Sequence, residues 1–208
     1  MNYEILLGFI LATTALALSP GPDNIYVLMQ SITNGRKYGI ATVCGLISGC
    51  LVHTTLVAFG VSAIIKESDT LFFIIKSLGA IYLLYLAFNV FKSDATVSLS
   101  NDAAPKKSLI QLFKQGVIMN VLNPKVSIFF LAFFPAYLYS DTINTVTQFY
   151  VLGLLFMATS FIVFALIAIL AGFISDYLKQ SKNIGLVLKW LQIVVFIGIA
   201  IFIFLSEN

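Results

Sequence analysis

The chain contains few charged residues for its length. Only 10% of its 208 residues are Asp, Glu, Lys or Arg, whereas 60% are hydrophobic and the mean hydropathy is +0.99. A soluble domain carries about 25% charged residues. The deficit excludes an ordinary soluble domain, and apolar runs long enough to cross a bilayer predict an all-α integral membrane protein. The net charge of +3 comes from basic residues scattered over short loops, so we predict no nucleic-acid partner.

Side chains that bind metals or carry out redox chemistry are also scarce. The chain has one histidine, His53, and two cysteines, Cys44 and Cys50. The cysteines lie in one predicted helix, separated by a rise of about 9 Å, so they cannot pair with each other. A metal site requires several His, Cys or carboxylate ligands at matched spacing. We therefore predict no bound metal and no cofactor. We also predict no enzymatic activity, because no nucleophile–base arrangement is evident.

The long apolar runs predict six membrane spans, each close to the roughly 20 residues that a bilayer requires. They cover residues 5–29, 40–65, 71–91, 116–139, 149–174 and 184–205. A polar linker at residues 92–108 divides a single domain, residues 1–208, into halves 1–91 and 109–208. An odd number of spans in each half makes the halves enter the membrane from opposite sides. This arrangement permits the inverted repeat that is typical of secondary transporters.

Six consecutive residues interrupt the first span: Ser19, Pro20, Gly21, Pro22, Asp23 and Asn24. Neither proline can donate a hydrogen bond to the preceding turn, so the carbonyls of Leu16 and Leu18 lose their helical partners. Irregular backbone at membrane depth is tolerated only where protein buries it or where it lines a wet cavity. A kink in a structural helix is the simpler interpretation. Two prolines, a glycine and a carboxylate together favour a transport site.

Asn123, Pro124 and Lys125 interrupt the fourth span, which begins the second half as the first span begins the first half. Interrupted segments at corresponding positions of two halves indicate a transporter binding site. The Lys125 side chain either extends to the membrane interface or remains in a cavity, facing Asp23 or an anionic ligand. The cavity interpretation makes all three residues candidate site residues.

The second span contains a glycine pair, Gly45 and Gly49, followed by His53. The spacing of the glycines allows another helix backbone to approach closely, so we assign them to helix packing. Gly49 and His53 share one face of the helix. A lone histidine is either a hydrogen-bonded packing residue or, at this depth in the membrane, a proton relay. Asp23 is the other candidate for that relay.

These motifs together resemble the lysine exporter (LysE) superfamily, and most closely its homoserine/threonine exporter (RhtB) branch. The resemblance rests on the first break, on the glycine pair followed by Val52 and His53, and on residues 123–130, and it covers nearly the whole chain. The family pattern often has alanine after the lysine, where this chain has Val126. The resemblance implies a multi-pass exporter of amino acids in the bacterial inner membrane. It also implies proton antiport and a homodimer.

A free amino acid carries a carboxylate and an ammonium group, and the two breaks offer a partner for each. Lys125 and the amide groups of a broken helix are expected to bind the carboxylate. Asp23 and freed carbonyls are expected to bind the ammonium group, and Asn24 and Asn123 complete the polar shell. A metal-ion exporter and a membrane thiol-redox conduit are the alternatives, and both lack the required ligands or cysteine pair. Uptake of the same substrates is a further alternative.

The distribution of basic residues predicts the orientation in the membrane. One side of the predicted membrane carries Arg36, Lys37, Lys92, Lys106, Lys107, Lys114, Lys179, Lys182 and Lys189, and the other carries Lys66 and Lys76. Because basic loops face the cytoplasm, we predict that both termini are periplasmic. An alkaline phosphatase fused at Asn208 should be active, and a fluorescent reporter that matures only in the cytoplasm should stay dark. The reverse pattern would overturn this orientation.

Overall fold

The computed structural model describes residues 3–93, 107–180 and 184–205, and these ranges contain helices and no strands. The first half comprises α1 (Tyr3–Leu18), α2 (Pro22–Asn34), α3 (Arg36–Leu56), α4 (Ser62–Glu67) and α5 (Asp69–Lys92). The second half comprises α6 (Leu109–Val121), α7 (Pro124–Ile128), α8 (Thr145–Ile169), α9 (Ala171–Gln180) and α10 (Ile184–Leu205). A π-helical segment, Val57–Val61, joins α3 to α4, and another, Phe129–Phe133, follows α7 and continues into a 3₁₀ turn, Phe134–Tyr137.

The membrane helices confirm the prediction of six spans. Four are long and apolar enough to cross a bilayer: Arg36–Ile65, Asp69–Lys92, Thr145–Ile169 and Gly185–Leu205. Two further spans are bent pairs, in which α1 and α2 meet at 61° and α6 meets the helix from Pro124 to Tyr137 at 51°. The linker residues 94–106, Lys182 and the terminal residue Asn208 lie outside the described residues.

Several predicted boundaries differ from the structure, including the end of the first span, at Asn34 rather than 29, and the start of the second, at Arg36 rather than 40. The fourth span begins at Leu109 rather than at 116, because Ser108 and Gln111 form a capping box that starts the helix early. The fifth span begins at Thr145, where Asn144 accepts a hydrogen bond from the amide of Val146, rather than at 149. It ends at Ile169 rather than at 174. The sequence pattern alone did not separate α9 from this span, because the apolar run continues through residue 174.

Proline sets the position of both breaks. Pro22 occupies the first turn of α2 and Pro124 the first turn of α7, where a missing N–H group costs no helical hydrogen bond. The breaks predicted in the first and fourth spans are therefore confirmed. Each half has the same order of elements, a bent pair followed by two long helices, as an internal repeat requires. The inverted relation between the halves stays a prediction.

Glycines bring α3 and α6 into contact. A Cβ atom on Gly45 would collide with the backbone carbonyl of Phe113, and one on Gly49 would lie 2.8 Å from the side chain of Asn120. A Cβ atom on Gly116 of α6 would likewise come too close to the backbone of α3. The predicted packing role of Gly45 and Gly49 agrees with this geometry. The contact holds α6, and therefore the second break, against the first half of the chain.

We predict that Gly45→Ala destabilises the protein, although alanine is the better helix former. The added methyl group meets backbone rather than a movable side chain, and overpacking of this kind costs about 1–3 kcal/mol. Gly198→Ala in α10 is the matched control, because a Cβ atom there has no neighbour within 4 Å. Thermal unfolding in detergent should give a lower melting temperature for Gly45→Ala and an unchanged or higher one for Gly198→Ala. Equal melting temperatures would contradict the close contact.

Candidate functional site

The carbonyl groups at the end of α1 find their partners on other elements. The Nζ atom of Lys125 donates to the carbonyl of Leu16 at 3.2 Å and to that of Ser19 at 3.0 Å. The side-chain amide of Asn24 donates to the carbonyl of Ala17 at 2.7 Å. Of the two carbonyls predicted to lose their helical donors, Leu16 and Leu18, that of Leu16 accepts from the lysine of the second half. The same lysine also satisfies the carbonyl of Ser19, which the prediction did not include.

Asn123 connects the two breaks through its side-chain amide. Its Nδ2 atom donates to the Asp23 carboxylate at 2.8 Å, and its Oδ1 atom accepts from the backbone amide of Lys125 at 3.0 Å. One side chain therefore caps the start of α7 and holds the acid of the first break. Asp23 is 6% exposed, so this bond lies in the interior of the protein.

Residues from both breaks line one small cavity. Gly21, Asp23, Asn24, Asn123 and Lys125 all contribute to its wall. The structure thus brings together the two charges that the sequence placed in different halves. The remaining predicted residues are not among those that line the cavity: Ser19 is fully buried, and the three prolines Pro20, Pro22 and Pro124 shape the breaks.

Sequence reasoning missed part of the cavity wall. Asn120 and Cys50 contribute polar atoms, and α8 contributes Phe156, Ser160 and Phe164, which are spaced four residues apart on one face. The Asn120 Oδ1 atom and the Ser160 hydroxyl are buried without a hydrogen-bond partner. Asn120 and Ser160 stand out in the sequence as polar residues within apolar helices. Nothing in their local sequence pattern showed that both side chains face the breaks.

His53 makes the contacts of a hydrogen-bonded packing residue, which is one of the two roles considered for it. Its Nε2 atom lies 3.1 Å from the carbonyl of Asn120, which Pro124 deprives of its usual helical donor and which also accepts a hydrogen bond from the backbone amide of Asn123 at 3.0 Å. Its ring packs against Phe130 with 5.3 Å between the ring centroids. The histidine is not among the residues that line the cavity, although Asn120 connects it to the wall. A role in proton transfer stays a prediction.

The cavity is too small to enclose an organic substrate. Its volume is about 30 Å³, enough for one or two water molecules. Sites for small molecules usually occupy about 300–1,000 Å³. The structure is therefore a closed arrangement, and binding of a solute requires movement of the surrounding helices.

Ligands for metals or thiol chemistry do not cluster in the part of the chain that the structure describes. No group of three or more His, Cys, Asp or Glu side chains in these residues has the geometry of a metal site. Cys44 and Cys50 are both free thiols. Lys76, which the sequence assigned to the weakly basic side of the membrane, lies two turns into α5, is 8% exposed and packs against Phe72.

Comparison with known families is decisive for the class of protein. The model of the family described as LysE type translocator matches residues 14–207. The chain belongs to the LysE-type translocator family. This confirms the resemblance to the LysE superfamily, and the translocator is a multi-pass membrane protein with apolar helices.

Two curated relatives extend along most of the translocator. A leucine efflux protein of Salmonella typhimurium is 28% identical over 195 residues, which are 92% of this chain and 91% of the relative. A homoserine/homoserine lactone efflux protein of the same organism is 30% identical over 183 residues, which are 88% of each chain. No solved structure matches the translocator.

We predict that Asn123→Ala costs more stability than the loss of a helix cap alone. Asn123 and Asn144 each accept a bond from the backbone amide two residues later, and only Asn123 also donates to a buried carboxylate. Losing a cap costs about 0.5–2 kcal/mol. Leaving a buried acceptor unpaired costs about 1–3 kcal/mol more.

Asn144→Ala is the matched control for this prediction. Thermal unfolding of the purified variants should give a melting temperature that is several degrees lower for Asn123→Ala than for Asn144→Ala, at about 2–4 °C per kcal/mol for a chain of this size. Equal losses would show that the bond between Asn123 and Asp23 adds nothing to the stability of the closed arrangement.

Proposed function

We propose that this translocator is a secondary transporter that exports amino acids across the bacterial inner membrane. The observation that carries the proposal is the pair of opposite charges, Asp23 and Lys125, that the two helix breaks bring to one cavity. A zwitterion presents two opposite charges to such a site. The relatives named for efflux of leucine and of homoserine support the same class of substrate.

Asp23 provides the partner for the substrate's ammonium group. Its carboxylate accepts one hydrogen bond from Asn123 and retains further acceptor positions. The carbonyls of Leu16, Ala17 and Ser19 already accept hydrogen bonds from Lys125 and Asn24. The proposal therefore makes the charged carboxylate the main partner of the ammonium group.

The substrate carboxylate has two candidate partners at the break. An ammonium group has three N–H donors, and Lys125 uses two of them for the carbonyls of Leu16 and Ser19. The third donor and the positive charge remain for the substrate. Pro22 has no N–H group and no side chain caps the start of α2, so the backbone N–H groups of Asp23 and Asn24 are the second candidate.

The rest of the cavity wall suits an uncharged side chain. Ile47, Phe156 and Phe164 supply apolar surface, and the Ser160 hydroxyl and the Asn120 amide supply polar atoms. An aliphatic side chain, with or without a hydroxyl, matches this mixture better than a charged one. The wall thus supports small neutral amino acids as the substrate class.

Proton antiport and a homodimer, which the family resemblance implies, and periplasmic termini, which the distribution of basic residues predicts, complete the proposal. Asp23 is the candidate proton carrier, because it is the acid in the cavity and also the partner for the substrate. His53 is the second candidate, through its bond to the Asn120 carbonyl. If one carboxylate binds either a proton or the substrate ammonium group, the proton and the substrate cannot be bound at the same time, as antiport requires.

Counterflow in proteoliposomes tests the proposal. Wild-type protein should accumulate labelled leucine or homoserine against an internal pool of the same amino acid, and Lys125→Gln should lose most of this exchange. Asp23→Asn separates the roles of the carboxylate. If it carries only the proton, gradient-driven export is lost and exchange remains, whereas loss of both assigns it to the ammonium group.

Three variants serve as controls at equal amounts of folded protein. Asp69→Asn and Lys92→Gln remove exposed charges outside the cavity and should keep wild-type exchange. His53→Gln tests the second relay and should affect only gradient-driven export. Absence of exchange for every amino acid in the wild-type protein would refute the proposed function. Wild-type activity of both Asp23→Asn and Lys125→Gln would refute the site.

A further inference from the structure

The Lys125 ammonium occupies a position built from backbone carbonyls. It donates to the carbonyls of Leu16 and Ser19, which lie at the end of α1 and just beyond it. The carboxyl end of a helix carries a partial negative charge because its last carbonyls have no helical donors. Oxygens of this kind at a broken membrane helix are the ligands that transporters use for a monovalent cation.

Two further groups make this position suitable for a cation. The Asp23 carboxylate lines the same cavity as Lys125 and supplies a negative charge. The ring of Phe196 lies on another side, with its centroid 5.5 Å from Nζ, at a distance typical of a cation–π contact.

The contacts of Lys125 differ from those of a lysine that extends to the membrane surface. Its Nζ atom would lie 3.7 Å from a Cβ atom placed on Gly21, so the ammonium reaches the backbone of the break itself. Lys189 shows the contrast, because it also donates to a backbone carbonyl, that of Ser93 at 2.7 Å, but this hydrogen bond is exposed. Only the lysine in the break has a carboxylate in the same cavity.

We propose that the end of α1 is a monovalent-cation site that Lys125 fills as a tethered cation. The site takes an ammonium group or an ion with a single positive charge, such as Na⁺. In the native protein the lysine occupies it permanently, so no free cation is required. Removal of the lysine side chain exposes the site to solution cations. The inference concerns the same cavity as the proposed function, but it holds whatever the translocated solute is.

Thermal unfolding of purified protein in detergent tests this inference without a transport assay. The melting temperature is measured in NaCl, NH₄Cl and choline chloride at equal ionic strength, with choline as the cation that is too large for the site. Wild-type protein should melt at the same temperature in all three salts. Lys125→Ala should melt lower in choline chloride and regain about 3 °C or more in NaCl or NH₄Cl, because ligand binding to the folded state raises its stability.

Matched variants separate a specific site from general effects of salt. Lys189→Ala removes the half-buried lysine that contacts the Ser93 carbonyl and should respond equally to the three salts. Lys125→Ser is a second test variant, whose small hydroxyl leaves room for a cation and adds an oxygen ligand. Adding Asp23→Asn to Lys125→Ala should reduce the gain in NaCl, because the carboxylate supplies the negative charge of the site.

Three results would overturn the inference. The first is an equal response of Lys125→Ala and Lys125→Ser to choline, sodium and ammonium, and the second is a failure of both variants to fold in any of the salts. Either result would show that a free cation does not replace the tethered one. A higher melting temperature of the wild-type protein in NaCl than in choline chloride would show that the lysine does not fill the site. Failure of amino-acid counterflow in the wild-type protein would refute the proposed function and leave this result unaffected.

Discussion

Every backbone N–H and C=O group in the hydrocarbon region of a membrane needs a hydrogen-bond partner, and the end of α1 is where this chain meets that constraint most directly. Pro20 and Pro22 remove the donors that would continue the helix. The carbonyls of Leu16 and Ser19 are satisfied by Lys125, which belongs to the other half of the chain. The first break therefore depends on the second for its partners.

This dependence explains why the helices around the breaks pack so closely. Lys125 and Asn123 reach the first break only if α6 lies against α3, and glycines at the contact allow the two backbones to approach. Behind α7, stacked rings of the π-helical segment and of the 3₁₀ turn that follows it fill the core, with Phe130 and Phe134 at 4.0 Å between centroids. The two charges therefore lie between an aromatic core on one side and a small cavity on the other.

The sequence predicted the features that follow from composition and from local chemistry. Hydropathy predicted six spans. Proline predicted the position of both breaks, because its missing N–H group affects only the hydrogen bond to the preceding turn of the same helix. The partners of each polar group could not be predicted, since they depend on how distant helices pack. Ser160 faces the cavity only because α8 lies beside α3, and the bond between His53 and Asn120 joins residues 67 positions apart.

The central claim is that the cavity between the two breaks is where the substrate binds, and the native thiol of Cys50 in its wall offers a direct test. Alkylation of Cys50 by N-ethylmaleimide is measured by mass spectrometry in a Cys44→Ser background, with and without a saturating amino acid that the protein transports. The account predicts that Cys50 reacts slowly, because the reagent reaches it only when the closed arrangement opens. It also predicts that the bound substrate slows the reaction several-fold. Reaction at the same rate with and without a transported substrate would contradict it.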